Sequence, residues 1–521
     1  MTTTEIDQLA DRHLRPDPDG ALAEMSVPRN GIVAIEIHDE LATSPGIQHL
    51  AWMLVNTLAR QFKIVGEIVL DVPPVDLKPR VSAFGSACSL KSALEQCIEL
   101  VGASHIKVRT ADRNETVDIA LSIGCSYRAA AHRYYLHADG WRFGISIDPL
   151  DVAGAPTSEL AIGPYMCASY ASGEVFKILR GLKSGKGVLA DRTFASLWSM
   201  STAETWTELD CGVEIQDAAE LGHFYLAGAG AVGQAAVACL GASGICPPCT
   251  AVEADRLDLS NDNRYVLATR SDEGIEKTKL VSRYLRQLGV QCTEAPIWWE
   301  DFVRNGGGFA GDPAIQKLEA QRRFHTVLSC VDKNLPRHAI QNALPQLIIG
   351  GSTYGLNAMA SIFAAGSVHA CLKCHNPVES REEAIRSRTE LLRNASPAER
   401  SQLMNEWGLS PADVLELLHP SGQCGRLGED DLNRFAGNSV DMSVGFVSVA
   451  AGVLLVAQWV RYKKAGPHHS GIATTTAMAQ FLKPRVRQRV NGQDATCSCA
   501  AGGRRQWAAY WSDSGAQRVL G

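Results

Sequence analysis

Short apolar runs alternate with amphipathic stretches along most of the chain, which is the pattern of an α/β protein. In the first 200 residues, strand-like runs are separated by stretches with helical periodicity. The strand-like runs cover 31–37, 63–72 and 116–123, and the helical patterns cover 46–61, 90–101 and 163–179. A link that contains Lys, Gly and Ser follows at 183–187.

Beyond about residue 215 the order strand, glycine turn, helix, strand begins, as in a doubly wound parallel sheet. We predict a strand at 224–227, a helix at 273–288, and strands near 326–331 and 346–349. The alternation predicts a second α/β unit in this half of the chain.

Residues 378–422 interrupt this alternation with a charged stretch of helical character. Ser396 and Ser410 each precede a proline, and an acidic residue follows at the third helical position. We therefore predict two short inserted helices.

Eighteen residues at 443–460 carry little polarity and are followed by basic residues. A membrane span is the alternative interpretation, but the stretch is short for one and contains two serines and a glutamine. We predict a helix that is buried against a sheet.

At 521 residues the chain is too long for one ordinary core, so two or three domains are expected. Apolar residues make up 45%, charged residues 20%, and the net charge is −6. This balance argues against a disordered chain and a strongly basic nucleic-acid-binding protein. We expect neither nucleic acid nor a membrane as a partner. The first residues carry no signal peptide, and the fifteen cysteines lack the spacing of a secreted disulfide framework. We expect a cytoplasmic protein.

Gly228, Gly230 and Gly233 form a GxGxxG turn directly after the predicted strand at 224–227. Such a turn brings backbone amides and a helix N-terminus to a phosphate group. Glu253 follows where a Rossmann-type fold places the carboxylate that binds the ribose. These features alone allow an ordinary dinucleotide site. The polar segment that ends in Arg264 favours an enzyme that cleaves ATP.

Several motifs follow one another in order between residues 222 and 500. After the glycine turn come Glu253-Ala254-Asp255, Ser260-Asn261-Asp262-Asn263-Arg264, Asp272-Glu273-Gly274-Ile275-Glu276-Lys277, Ser329-Cys330-Val331-Asp332 with Arg337, Cys371-Leu372-Lys373-Cys374 and Cys497-Ser498-Cys499. In this order they resemble the ThiF/MoeB and ubiquitin-activating enzyme superfamily.

Members of this superfamily are expected to adenylate a C-terminal carboxylate with ATP and Mg²⁺, so fixed cations are needed at the phosphates. The resemblance implies that Arg264 and Lys277 supply these cations and that Asp332 associates with Mg²⁺. The other nucleotide-binding residues that it implies are Glu253 at the ribose, Asp255, and Asn261 and Asn263 in the phosphate pocket.

The chain departs from the superfamily pattern at three of these positions. Glu253 stands where Asp is usual, and this change keeps the carboxylate but lengthens its reach. Asp262 replaces an apolar residue, and Lys333 replaces an Asn beside Asp332. None of these changes removes a cation or an acid that the reaction needs.

Four cysteines form the candidate metal site: Cys371, Cys374, Cys497 and Cys499. Four thiolates make a closed tetrahedral zinc site, which implies a structural role for the metal. Four unligated thiols are the alternative, and the superfamily usually shows CxxC twice rather than CxxC and CxC. A second CxxC at 246–249 falls where the second strand begins, so we interpret it as part of the fold.

Cys424 lies in the segment 421–440, after the inserted helices and before the apolar helix. In superfamily members that form a thioester, a nucleophilic cysteine lies on this crossover. We predict that Cys424 captures the acyl group of the adenylate, with a merely packed cysteine as the alternative.

The first half resembles a degenerate copy of the same unit. Its helix at 163–179 is similar to the superfamily's closing helix, and Asp11-Arg12-His13-Leu14-Arg15 resembles an N-terminal motif in which one domain lends an arginine to its partner's ATP. Arg12 is the matching position. Because this half has no glycine-rich phosphate loop, it resembles an inactive adenylation domain. A plain accessory domain is the alternative.

We therefore predict an inactive adenylation domain at 1–200 and an active one at 215–521. The resemblance implies adenylation of a ubiquitin-like β-grasp protein at its C-terminal glycine, followed by transfer to Cys424 and to a conjugating enzyme. A role in bacterial antiviral defence is expected by analogy alone. The alternatives are sulfur-carrier activation, a nicotinamide-dependent oxidoreductase and a non-catalytic scaffold.

Overall fold

The computed structural model of the chain describes residues 3–25, 27–85, 87–102, 105–110, 114–150, 154–215, 217–374, 376–377, 381–418, 442–465 and 475–512. The chain divides into one compact unit of Met1–Asn376 with Met442–Gly521 and a second unit of Pro377–Asp441. Within the described residues, sixteen strands form two eight-stranded sheets, both in the first unit. The predicted α/β fold class is confirmed.

The first sheet belongs to the N-terminal half. Its strands are β1 Gly31–Ile37, β2 Val65–Asp71, β3 Lys107–Thr110, β4 Val117–Ile123, β5 Ala130–Asp139, β6 Arg142–Ser146, β7 Arg192–Ser196 and β8 Ser201–Ala203. The helices of this half are α1 Thr3–Leu14, α2 Asp39–Ala42, α3 Pro45–Leu58, α4 Leu90–Gly102 and α5 Ile162–Arg180. The strand order is β3-β2-β1-β4-β5-β6-β7-β8, parallel from β3 to β5 and antiparallel from there on.

The second sheet belongs to the C-terminal half. Its strands are β9 Phe224–Ala227, β10 Cys249–Val252, β11 Cys292–Ala295, β12 Thr326–Ser329, β13 Leu347–Tyr354, β14 Asn357–Ala364, β15 Thr475–Gln480 and β16 Arg485–Val490. The helices are α6 Ala231–Ala242, α7 Lys277–Gln287, α8 Trp299–Arg304, α9 Pro313–Ala320, α10 Asn334–Asn342, α11 Arg381–Asn394, α12 Pro397–Trp407, α13 Pro411–Leu418, α14 Gly445–Ala465 and α15 Arg504–Ser512. The order β11-β10-β9-β12-β13-β14-β15-β16 repeats that of the first sheet, with the same change from parallel to antiparallel pairing.

Helix α14 is the centre of the core that the two halves share. It is long and apolar enough to cross a membrane by length and composition, but 94% of its most apolar window is buried inside the structure. It packs against β14 and α6 of its own half and against α5 of the first half. Gly452 approaches α6 so closely that a Cβ would lie 2.6 Å from the Ala236 nitrogen. The prediction of a buried helix is confirmed.

The inserted segment contains three described helices, α11 to α13, where two were predicted. Helices α12 and α13 follow Ser396 and Ser410 as predicted. Glu399 accepts a hydrogen bond from the Ser396 nitrogen at 2.9 Å, and Asp413 accepts one from the Ser410 nitrogen at 2.8 Å. Helix α11 was missed because no Ser-Pro signal precedes it.

Candidate active site

The glycine turn joins β9 to α6 at the carboxyl edge of the second sheet. Gly228 has a φ of +97°, and a Cβ there would lie 2.9 Å from the carbonyl carbon of Cys330. A Cβ on Gly233 would lie 2.2 Å from the Gly228 oxygen. Glycine is therefore required at both positions, by the backbone conformation at the first and by close approach at both. The turn leaves the N-terminus of α6 at the sheet edge, where an anion can bind.

Lys277 is the first residue of α7, which begins later than the predicted helix at 273. Gly274 has a φ of +78°, and its nitrogen donates to the Leu257 oxygen at 2.8 Å. The Leu257 nitrogen donates in turn to the Ile275 oxygen at 2.7 Å, so this segment pairs in an extended form and stays out of the helix. The Lys277 ammonium, whose side chain is 9% exposed, donates to Asp255 Oδ2 at 2.9 Å.

Tyr265 contacts both of the predicted phosphate-binding cations. Its ring centroid lies 5.5 Å from Arg264 Cζ and 5.6 Å from Lys277 Nζ, within cation–π range. Arg264 Nη1 also donates to the Ser260 oxygen at 2.8 Å and to Asn263 Oδ1 at 2.7 Å. Tyr265 was missed in the sequence, where its only signal is its position directly after Arg264.

Helix α1 brings Arg12 and His13 of the first half to this site. The Arg12 oxygen accepts a hydrogen bond from the Ser443 nitrogen at 3.1 Å. His13 Nδ1 lies 3.4 Å from Asn263 Nδ2, and His13 Nε2 lies 2.6 Å from the Phe62 oxygen. These contacts assign the ring proton to Nε2 and make Nδ1 the acceptor for Asn263. The first half therefore contributes side chains directly to the nucleotide edge of the second.

Asp332 follows β12 at the same sheet edge, where it is exposed. Burial lowers the pKa of Arg12, Arg264 and Arg337, and the Asp332 carboxylate acts on all three in the opposite direction. Asp332 is thus the acid that these arginines share. An exposed carboxylate is of the ligand type that Mg²⁺ prefers.

The remaining predicted nucleotide residues lie between β10 and this cation group. Glu253 Oε1 accepts from the Asp255 nitrogen at 3.1 Å, and burial raises the pKa of Glu253. Asn261 is buried, and its Nδ2 lies 3.4 Å from Ser260 Oγ. Asn263 donates to the Ser443 oxygen at 3.1 Å and accepts from Arg264. Both ends of the Asn263 amide are therefore engaged by the protein itself.

The structure thus brings the predicted nucleotide residues to one edge of the second sheet. They are Arg12, Gly228, Gly230, Gly233, Glu253, Asp255, Asn261, Asn263, Arg264, Lys277 and Asp332. Cys424, the predicted nucleophile, lies outside the described residues.

The corresponding edge of the first sheet is occupied by ion pairs. Glu36 near the end of β1 is fully buried, and its carboxylate accepts from Arg128 Nε at 2.9 Å and from Ser122 Oγ at 2.8 Å. Arg133 donates to the same carboxylate, and Arg128 also donates to Asp71 at the end of β2 at 2.9 Å. The cations at this edge are therefore paired with carboxylates of the same half.

The four predicted zinc ligands lie close together in the larger of the two compact units. The sulfur atoms lie within 4.8 Å of one another. The Sγ–Sγ distances are 3.8 Å for Cys371–Cys374, 3.6 Å for Cys371–Cys497 and 3.4 Å for Cys374–Cys499. Ligands at the ordinary Zn–S distance of about 2.3 Å are about 3.8 Å apart in a tetrahedron, so the four thiols fit zinc.

The thiols of this cluster differ in acidity. Burial raises the pKa of Cys371 and Cys374. Burial acts in the same direction on Cys499, but hydrogen bonds from Cys374 and Gln493 outweigh it and lower the pKa of Cys499 to about 7. The second CxxC lies elsewhere, with Cys249 in β10 opposite Cys292 of β11.

Helix α10 connects the Asp332 loop to the first cysteine pair. Arg337 donates from Nε to the Val331 oxygen at 3.2 Å and from Nη1 to Asn376 Oδ1 at 2.6 Å. His338 Nε2 lies 2.6 Å from the Asn376 oxygen, and Asn376 Nδ2 donates to the Leu372 oxygen at 2.7 Å. The turn between Cys371 and Cys374 is therefore joined to the acidic loop of the candidate site.

Two family models match the chain, one in each half. The model described as the ThiF family matches residues 204–499, and the model described as the BilD N-terminal domain matches residues 32–191. The uncharacterized protein y4jF of Sinorhizobium fredii is 24% identical over 346 residues, which are 66% of this chain and 60% of that protein. The chain thus spans less than two thirds of the length of this relative.

Solved structures of E. coli MccB also match part of the chain. The crystal structure of MccB with ATP is 13% identical, with coverage of 54% of this chain and 66% of that chain and a TM-score of 0.34. The crystal structure with MccA-N7isoASN is 13% identical, with coverage of 54% and 67% and a TM-score of 0.35.

Proposed function

Because the chain belongs to the ThiF family, as its motif order predicted, we propose that it activates the C-terminal carboxylate of a ubiquitin-like protein by ATP-dependent adenylation. The observation that carries the proposal is the cation group at the glycine turn. Arg264 and Lys277 contact one aromatic ring there, and Arg12 arrives from the other half. A hydride-transferring enzyme has no need for three cations around Tyr265 beside the glycine turn.

In the proposed reaction, a carboxylate oxygen of the partner's terminal glycine attacks the α-phosphorus of ATP. The bond to the β-phosphate breaks, and pyrophosphate leaves with the electron pair. Negative charge develops on the phosphate oxygens, so Arg264, Lys277 and Arg12 stabilise the transition state more than the ground state. Glu253 holds the ribose hydroxyls. Asp332 would hold Mg²⁺, which supplies further charge neutralisation at the phosphates.

We propose that the first half has no adenylation activity of its own. The ion pairs around Glu36 support this division, as does the lack of a glycine-rich turn after β1. The match of residues 32–191 to a family model distinct from the ThiF family also supports it. The remaining role of this half is to position the active one.

We further propose that the Cys424 thiolate displaces AMP from the acyl adenylate and forms a thioester, which is then passed to the thiol of a conjugating enzyme. Its position in the sequence between α13 and α14 supports this assignment. We place these steps in the cytoplasm, within a bacterial conjugation system that acts in antiviral defence.

ATP–pyrophosphate exchange tests adenylation. The purified chain is incubated with candidate β-grasp proteins that end in glycine, and exchange is expected only with the true partner. Each candidate is also tested after deletion of its terminal glycine as a matched control. Exchange that is absent with every candidate, including those encoded by neighbouring genes, would contradict the proposal.

Non-reducing gels test the thioester. A band that dithiothreitol removes is expected with the parent chain and with Cys211→Ala, which changes an exposed cysteine. Cys424→Ala is expected to keep exchange and to lose the band. An unchanged band in Cys424→Ala assigns the thioester to another cysteine. Exchange without any band in the parent favours a sulfur-carrier type of activation.

A further inference from the structure

Arg60 and Asp262 form a buried ion pair between the two halves of the chain. Arg60 lies just after α3 of the first half, and Asp262 lies in the polar segment 260–264 of the second. The side chains are 0% and 2% exposed, and Arg60 Nη1 lies 2.9 Å from Asp262 Oδ1. Asp262 is also the residue at which the chain departs from the apolar pattern of its superfamily.

The guanidinium binds main-chain atoms of the same segment as well. Nη1 donates to the Asp262 oxygen, and Nη2 donates to the Ala268 oxygen at 2.8 Å. Nε is held by Asn56 Oδ1 at 2.8 Å, and Asn56 donates in turn to the Val266 oxygen at 3.0 Å. All three nitrogens of Arg60 thus serve to fix the chain from 262 to 268.

This segment also carries side chains of the candidate nucleotide site. Asp262 stands between Asn261 and Asn263, and the Arg264 guanidinium is anchored on the Ser260 oxygen and on Asn263. The turn is tight, since the Asp262 nitrogen donates to the Leu259 oxygen at 3.1 Å. A displacement of Asp262 would therefore move Arg264 relative to the glycine turn.

We propose that Arg60 is a positioning residue for the nucleotide, through which the first half holds segment 260–268 in its binding conformation. The proposal rests on the proposed function, because it assumes that Arg264 binds phosphate. Arg60 itself is buried behind the segment and touches no substrate. The inactive half thus acts on the reaction at two points, through Arg12 at the surface of the site and through Arg60 behind it.

A second buried ion pair provides a matched control. Lys177 and Glu174 of α5 are both 0% exposed and lie 2.7 Å apart. Lys177 also bridges the halves, because it donates to the Phe481 oxygen at 2.7 Å. Among the described residues, the hydrogen-bond partners of this pair are Val188, Phe481, Ala190 and Tyr134, none of which lies in segment 260–268. Its loss removes an ion pair of equal burial and a hydrogen bond between the halves without acting on the nucleotide segment.

The test compares Arg60→Met/Asp262→Val with Lys177→Met/Glu174→Leu, since replacing both partners of a buried pair by apolar residues avoids an uncompensated charge. In pyrophosphate exchange, the first double variant is expected to raise the KM for ATP about tenfold or more, and the second to leave it unchanged. If a double variant does not fold, the KM for ATP is measured instead in the conservative variants Arg60→Lys and Asp262→Asn. An unchanged KM in every folded Arg60 and Asp262 variant would overturn the proposal.

Hydrogen exchange of the nucleotide-free chain separates this proposal from the proposed function. The amides of Asp262, Arg264 and Ala268 are hydrogen-bonded within the segment, so they are expected to exchange about tenfold faster in the Arg60 variants only. If the parent chain shows no pyrophosphate exchange, the proposed function fails, and this measurement still decides whether Arg60 holds the segment. Equal protection in parent and variants would show that it does not.

Discussion

The roles of some residues in the candidate site can be predicted from the sequence, and the roles of others cannot. Gly228, Arg264 and Lys277 were predicted because their motifs have a direct chemical meaning. Tyr265, His13 and Arg60 were not, because their roles depend on contacts between residues far apart in the chain. A histidine or arginine in a long chain gives no signal of its own until its neighbours in space are known.

Gly228 combines a left-handed backbone with a close contact, and Gly222 shows the left-handed backbone alone. A Cβ at Gly228 would collide with the Cys330 carbonyl, whereas a Cβ at Gly222, with a φ of +71°, would meet nothing within 4 Å. We expect Gly228→Ala to lower the free energy of unfolding by about 3 kcal/mol and Gly222→Ala by about 1 kcal/mol. Denaturant titration measures both. Equal losses would show that the close contact relaxes freely.

His13 predicts how the stability of the chain depends on pH. Burial lowers the pKa of His13 to about 4, against a hydrogen bond to the Phe62 oxygen that acts in the other direction. A base with a depressed pKa in the folded state adds stability above its unfolded pKa near 6.5, and this stability is lost as the pH falls toward 4. When the pH falls from 7 to 5, this residue is expected to lower the free energy of unfolding by about 2 kcal/mol.

The measurement is denaturant unfolding at both pH values. In His13→Gln, the decrease in the free energy of unfolding between pH 7 and pH 5 is expected to be about 2 kcal/mol smaller than in the parent. His132→Gln changes an exposed histidine and is expected to behave as the parent does. A pH dependence that is the same in all three chains would mean that His13 is charged in the folded protein.

At the scale of elements, apolar periodicity predicted the central strands and the long helices well. Helix α3 and strand β4 begin and end within a few residues of their predicted bounds. Helix α7 was placed too early because Gly274 and the pairing of Leu257 with Ile275 remove the segment before Lys277 from the helix. That pairing depends on the loop around Leu257, which lies some distance away in the sequence, so the local pattern before Lys277 does not predict it.

The cysteine cluster predicts one structural zinc ion per chain. Cys371→Ser is expected to lose the zinc, as measured by atomic emission, because it removes a ligand of a closed site. Cys246→Ser changes the other CxxC and is expected to keep it. Chelation of the parent should make four thiols reactive, and it should destabilise the segment around Cys497 and Cys499. Zinc that survives in Cys371→Ser but is lost in Cys246→Ser would reverse the assignment.

At the scale of the whole molecule, the strand order of the second half is repeated in the first. The sequence predicted this duplication from the Asp11–Arg15 motif and from the small-residue helix at α5. It did not predict how the halves pack, because buried contacts such as Phe176 with Phe446 and Arg60 with Asp262 join residues hundreds of positions apart. These contacts hold the two halves together in one compact unit.

The shared core predicts that neither half is stable alone. Helix α14 packs against α5, and separation would expose both apolar faces to water. Residues 1–215 and 217–521, coexpressed as two chains, are expected to copurify with a one-to-one ratio. Either chain expressed alone is expected to aggregate or to self-associate, as size-exclusion chromatography would show. Two separately soluble monomers would contradict the shared core.

The two sheets have the same order, but β9 leads into a glycine turn and its counterpart β1 is followed by His38-Asp39-Glu40. A symmetric dimer of two equal halves would carry two reaction centres, which could work in alternation. In the proposed function one half is the support and the other carries the reaction centre, so each chain has one centre. In an active-site titration, the amount of bound adenylate should therefore reach one equivalent per chain and no more.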